Sequence, residues 1–148
     1  MRMMSLINRS YTISDLKYRA IDFSGEWVFG WYLKYPFGES GEFVDAIMSE
    51  SDTFRGRRSF HKIYFNTLGL YTLYKDVNDR EIYTGDIIED LSDSNKYYVE
   101  FARVNSVGYV GFVLVSIESD EHIAFGMSKS EQYRIIGNIY ENGSKEST

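Results

Sequence analysis

The chain has 148 residues and a formal net charge of −6, a length that fits one domain or two small lobes and buries a core without staples. It has no cysteine, which excludes disulfides and thiolate metal sites, and its two histidines, His61 and His122, leave little for transition-metal binding. The acidic balance works against non-specific binding of duplex DNA, which draws on Lys and Arg to neutralise phosphate. No apolar run is long enough to span a bilayer.

Thirteen Tyr, ten Phe and two Trp, set against a single Pro and twelve Gly, favour strands and turns over helices. Residues 1–16 read as a loosely docked extension, with no apolar stretch of the kind a signal or anchor needs. Lys17 to Phe23 is predicted as a first strand. Ser24 and Gly25 turn the chain into an aromatic second strand, Trp27 to Tyr35. Its alternation puts Trp27, Phe29, Trp31 and Leu33 on one side. Pro36, Gly38, Ser40 and Gly41 break the pattern. Phe43, Val44, Ile47 and Met48 recur at a spacing that suits a two-turn helix or an irregular strand equally. Ser49 to Arg58 is polar and is predicted as an exposed loop. Ser59 to Asn66 is predicted as a strand.

From Thr67 to Asp90 the chain reads as strand, tight turn, and a Gly-Asp step into a new strand. Asp76, Asn78 and Asp79 make the turn, because such side chains bond to their own backbone and tolerate left-handed conformations. Gly85 allows a positive φ or a close approach. After a polar turn at Asp90 to Lys96, strands are predicted at Tyr97–Arg103, Val107–Ile117, His122–Met127 and Tyr133–Tyr140, with a helical turn at Ser128–Gln132. Val107–Ile117 is apolar on both faces, which calls for cover on both sides. The expected fold is mainly β, with α+β as the alternative. A sheet lobe with at most one short helix would occupy residues 17–80. A half-open or closed SH3-like small barrel would occupy 81–142, with a mobile tail at 143–148; one domain over 17–142 is the simpler division.

Few residues offer chemistry. Asp76 to Glu81 begins like a calcium loop but has Arg80, Glu81 and Ile87 where that loop needs ligands and Gly, so a hydrogen-bonded turn is the better reading. Asp86, Glu89 and Asp90 have the types needed for acid–base work, with Asp86 and Asp90 on one strand face and Glu89 on the other. A turn-fixing Asp is the plainer reading. Asp120, Glu121 and His122 are too few for a metal centre. No nucleophile motif and no phosphate loop occurs. The basic cluster of Arg55, Arg57, Arg58, His61 and Lys62 stands among Phe54, Phe60 and Tyr64. Charge interleaved with rings is what single-stranded nucleic acid takes, and Arg55, Arg57, Arg58 and Lys62 are the candidate contacts. The aromatic strand Trp27–Tyr35 is either core or a subunit contact. The composition points to a non-enzymatic interaction protein without cofactor or metal, most simply a homo-oligomer.

Three ordered blocks carry a family resemblance. In the central one, Thr67, Gly69, Tyr71, Thr72, Lys75, Asp76, Asn78, Glu81, Ile82, Tyr83, Gly85, Asp86 and Ile87 match the signature of the YopX family position by position. Lys17-Tyr18-Arg19-Ala20 with Asp22 resembles the family's opening block. Ile136-Gly137-Asn138-Ile139-Tyr140-Glu141-Asn142 resembles its closing block. The resemblance implies a phage or prophage origin, the cytoplasm of a bacterial host, and a host or phage protein as partner. It implies no assigned activity. Leu73 and Asp79 stand where the family has Gly. Asp79 is expected to keep the turn conformation, and Leu73 to alter local packing.

Overall fold

A computed structural model describes residues 16–37, 41–54, 57–106, 108–125 and 132–141. The chain forms two compact units, Met1–Leu73 and Tyr74–Thr148. The fold is mainly β, and every strand pairing described is antiparallel.

The first unit is built on β1 (Tyr18–Ile21), β2 (Trp27–Phe37), β3 (Glu42–Phe54), β4 (Arg57–Lys62) and the start of β5 (Gly69–Lys75). They lie side by side in the order β4-β3-β2-β1-β5. The long β2–β3 hairpin keeps one register from Gly30↔Ser49 to Phe37↔Glu42. Beyond β4 the chain folds back onto β1. Ile63 bridges Asp22, and Tyr64 N–H and Phe23 N–H donate to Ile21 and Lys62 carbonyls at 2.9 and 3.0 Å. The sheet therefore curls around Ala20, Ile47 and Ile63, with Tyr18, Val28, Tyr32 and Leu68 packed against them.

Of the two readings open at 43–48, the strand is adopted, and the loop expected at 49–58 fails, since β3 runs on to Phe54 and β4 begins at Arg57. The helical spacing of Phe43, Val44, Ile47 and Met48 is overridden by pairing on both sides. Val44 faces Tyr35 and Ile47 faces Tyr32 across β2, while Ile47 and Met48 face His61 and Phe60 across β4. Backbone groups paired on two edges leave no room for a helix.

In the second unit the turn Asp76–Arg80 leads from β5 to β6 (Glu81–Tyr83). Five strands follow: β7 (Asp86–Asp90), β8 (Lys96–Val104), β9 (Tyr109–Ser116), β10 (His122–Ala124) and β11 (Tyr133–Asn138). Their order is β10-β9-β8-β7-β11, the order of an SH3-like barrel laid open. Among the described residues no pairing joins β10 to β11, so the closed form of the expected barrel is not adopted. Ile82, Ile88, Tyr97, Val99, Leu114, Phe125 and Tyr133 form the core. Val113, Leu114 and Val115 are all buried, as a strand apolar on both faces requires. The helical turn expected at 128–132 lies outside the described residues, save Gln132, which is not helical.

Candidate functional site

The signature residues gather in two places, one in each unit. In the first, the opening block pairs with the start of the central one. Tyr18 and Arg19 face Leu70 and Gly69, and Lys17 Nζ stands 5.7 Å over the Tyr71 ring. Thr67 Oγ1 donates to the Tyr64 carbonyl at 2.6 Å and accepts from Ile21 N–H at 2.9 Å. A small β-branched alcohol suits that buried corner, where one hydroxyl serves two backbone groups.

In the second unit the remainder of the signature meets the closing block. Gly85 has φ +93°, and the Tyr140 ring lies where a side chain would stand, 2.7 Å from an ideal Cβ. Ile139 N–H donates to the Gly85 carbonyl at 2.9 Å. Asn138 faces Asp86 across β11 and β7. Its Oδ1 accepts from Tyr140 and Glu141 N–H at 3.0 and 2.9 Å and so caps the short helical turn at 139–141. A register shift falls between Ile135 and Gly137. Ile82 and Tyr83 are buried beside this corner.

Asp76 accepts four hydrogen bonds. Its Oδ1 accepts from Asn78 and Arg80 N–H, each at 2.9 Å. Its Oδ2 accepts from Ile135 N–H at 3.1 Å and from Arg80 Nη2 at 3.3 Å. Burial pushes its pKa up. The N–H groups of Ile135, Arg80 and Asn78, with the Arg80 charge, outweigh that and hold the carboxyl below its usual range. Four bonds to one buried carboxylate fit a structural role. The i+2 and i+4 contacts are readable from an Asp in a turn. The contacts to Ile135, 59 residues on, are not.

The three carboxylates with acid–base types are also engaged. Asp86 is 1 % exposed and its Oδ2 accepts from Tyr83 N–H at 2.8 Å. Asp90 Oδ1 accepts from Ser92 N–H and Oγ at 2.9 and 2.6 Å. Glu89 pairs with Arg134 at 2.6 Å. A carboxylate sealed in a turn has no access to a substrate proton. Among the described residues no group of three or more His, Asp or Glu could hold a metal ion. A cavity of about 350 Å³ lies by Arg103, Asn105, Ser106 and His122. Arg103 faces Val110 and His122 faces Val115 along β9.

Of the basic cluster, Arg55 lies outside the described residues, and Arg57 and Arg58 are described by their backbone alone, opposite Phe54 and Thr53. Lys62 is half-buried opposite Ala46. His61 Nδ1 stands 3.8 Å from Asp22. Phe60 is 55 % exposed, and Phe23 and Tyr64, whose ring centres are 4.9 Å apart, are exposed as well.

The outer face of the first-unit sheet carries a row of aromatic side chains. Side chains two apart on a strand share a face, so Trp27, Phe29, Trp31, Leu33 and Tyr35 stand together. Cross-strand partners add Val44 and Met48 from β3 and Phe60 from β4. Phe29 and Phe60 are exposed, and the other six are half-buried. On the inner face Tyr32 donates to Asp45 at 2.6 Å. That bond, with burial and the Asp45 charge, pushes the phenol up to about 12.

The family model described as YopX protein matches residues 17–145. The chain belongs to the YopX family. This chain of the family is also similar in fold to the crystal structure of protein EF1440 from Enterococcus faecalis. The TM-score is 0.51 at 21% identity, over 88% of this chain and 96% of that one. No curated protein matches the chain. No described helix is long and apolar enough to cross a membrane.

Proposed function

We propose that the protein is a non-enzymatic accessory protein that works by docking to protein, first of all to a second copy of itself. Phage or prophage origin and the bacterial cytoplasm are part of the same reading. One observation carries it: the aromatic outer face of the first-unit sheet, with Trp27, Phe29, Trp31, Leu33 and Tyr35 in line on β2. Contiguous apolar surface of this kind marks interaction sites, and Trp, Tyr, Phe and Met are the types enriched there. None of these eight side chains is charged, which suits contact between copies that each carry a net charge of −6; Glu42, at the far end of the β2–β3 hairpin, is a carboxylate in register with the same face. Sedimentation velocity at tens of micromolar tests it. Wild type should associate, and Phe29→Glu with Phe60→Glu should be monomeric. A strict monomer for wild type would count against the reading.

A second reading has its own support. Phe23, Phe60 and Tyr64 are exposed beside the basic strand β4, and exposed rings next to Arg and Lys suit single-stranded nucleic acid. A fluorescence anisotropy titration at low salt separates the two. Binding by wild type that is lost in Arg57→Glu with Arg58→Glu favours nucleic acid.

A further inference from the structure

β11 is the outer strand of the second-unit sheet, with β7 on one side only. A strand so placed turns a row of backbone groups outward, which is a template for another strand. Here the row is occupied by the turn Asp76–Arg80. Val77 N–H donates to the Tyr133 carbonyl at 2.9 Å. Ile135 N–H donates to Asp76 Oδ2 at 3.1 Å, and Arg80 Nη2 donates to the Ile135 carbonyl at 2.8 Å. The Asp76 carboxylate and the Arg80 guanidinium, 3.3 Å apart, thus give Ile135 one acceptor and one donor, as the peptide groups of a neighbouring strand would.

We propose that the Asp76–Arg80 pair is a strand mimic that closes the β11 edge, and that the partner it keeps out is β11 of a second copy. The segment Tyr133-Arg134-Ile135-Ile136-Gly137-Asn138 suits self-pairing. It is rich in β-formers and has a single charge, Arg134, which Glu89 already holds. Two such edges meet antiparallel about a twofold axis, and like presents to like. Ile136, 44 % exposed, lies beside the blocked groups. This surface differs from the aromatic face of the first unit, and the inference does not rest on that face.

The chain has no cysteine, so Ile136→Cys places one thiol at the edge. Under mild oxidation this variant alone should give little disulfide-linked dimer. Adding Arg80→Ala or Asp76→Asn should raise the linked fraction roughly tenfold, the scale of one or two lost hydrogen bonds. Amide exchange at Ile135 should speed up by a similar factor in Asp76→Asn. Arg80 is exposed, so Arg80→Ala retains the fold and decides the matter even if Asp76→Asn does not fold. A folded Arg80→Ala protein, with unchanged circular dichroism and a cooperative melt but no gain in linked dimer, would overturn the proposal.

Discussion

The loop Asp22–Glu26 of the first unit and the loop Asp76–Arg80 of the second are one turn built twice. In each, an aspartate Oδ1 accepts the N–H groups two and four residues on, all at 2.9 Å. The aspartate N–H donates to the carbonyl four residues on, at 2.9 and 2.8 Å, and its carbonyl accepts from the residue three on, at 3.0 Å. That third residue has positive φ in both, Gly25 at +90° and Asp79 at +63°. The difference lies in the other carboxylate oxygen. Asp22 Oδ2 has His61 at 3.8 Å, whereas Asp76 Oδ2 takes Ile135 N–H and the Arg80 guanidinium. The same local chemistry closes a hairpin in one unit and anchors a distant strand in the other.

Removing each carboxylate tests this most severely. Asp76→Ala should cost about 3 kcal/mol, because a buried charge-assisted set is lost and Ile135 N–H is stranded. Asp22→Ala should cost about 1.5 kcal/mol, since its bonds are local and nearer solvent. Urea unfolding midpoints measure both, and equal losses would break the comparison. The positive-φ glycines give a second pair. Gly85→Val should cost about 3 kcal/mol, from left-handed strain and the Tyr140 ring together. Gly25→Val, with nothing within 4 Å of the added Cβ, should cost about 1.5 kcal/mol from the backbone alone.

Acid gives a third test. Burial pushes both aspartates up. At Asp22 the Ser24 hydroxyl, the Glu26 and Ser24 N–H groups and His61 outweigh it, so both carboxyls sit below the ordinary 3.8. The unfolded chain then takes up protons first as pH falls. The stability these groups add is complete above the ordinary value and is lost as pH drops through the lower folded values. Unfolding midpoints followed from neutral to acid should fall for wild type, and more shallowly for Asp76→Asn. Leu73 offers a smaller and sharper test. It has φ +70° within β5, so it adopts the conformation for which the family has Gly, a backbone effect beyond the expected change in packing. Leu73→Val should cost about 1 kcal/mol, where an ordinary strand position would tolerate the β-branch. Asp79→Gly, at the other family glycine, should gain about 0.5 kcal/mol.

Much of the second unit was legible because its signals are short-range. Five strands after the Gly-Asp step follow from alternation and turn residues, and the turn at Asp76 follows from side chains that bond within four residues. The first unit was harder. Phe43 to Met48 fits a helix as well as a strand, and only β2 and β4 on either side decide between them. In the basic cluster the strand that carries His61 and Lys62 was expected, whereas the approach of His61 to Asp22, 39 residues earlier, was not readable.

The amino-acid order alone left 43–48 open and read strand at 49–54 and 57–58 as loop, but it placed the turns at Ser24–Gly25 and at Asp76–Asp79 and the five strands after Gly85. Those properties depend on neighbours a few residues apart and on Gly, Asp and Asn conformations. Tertiary structure decided what each long-range partner is: Ile135 for Asp76, Tyr140 for Gly85, Gly69 for Arg19. Such pairings depend on how sheets curl and register across tens of residues, and no local pattern of residue types encodes that distance.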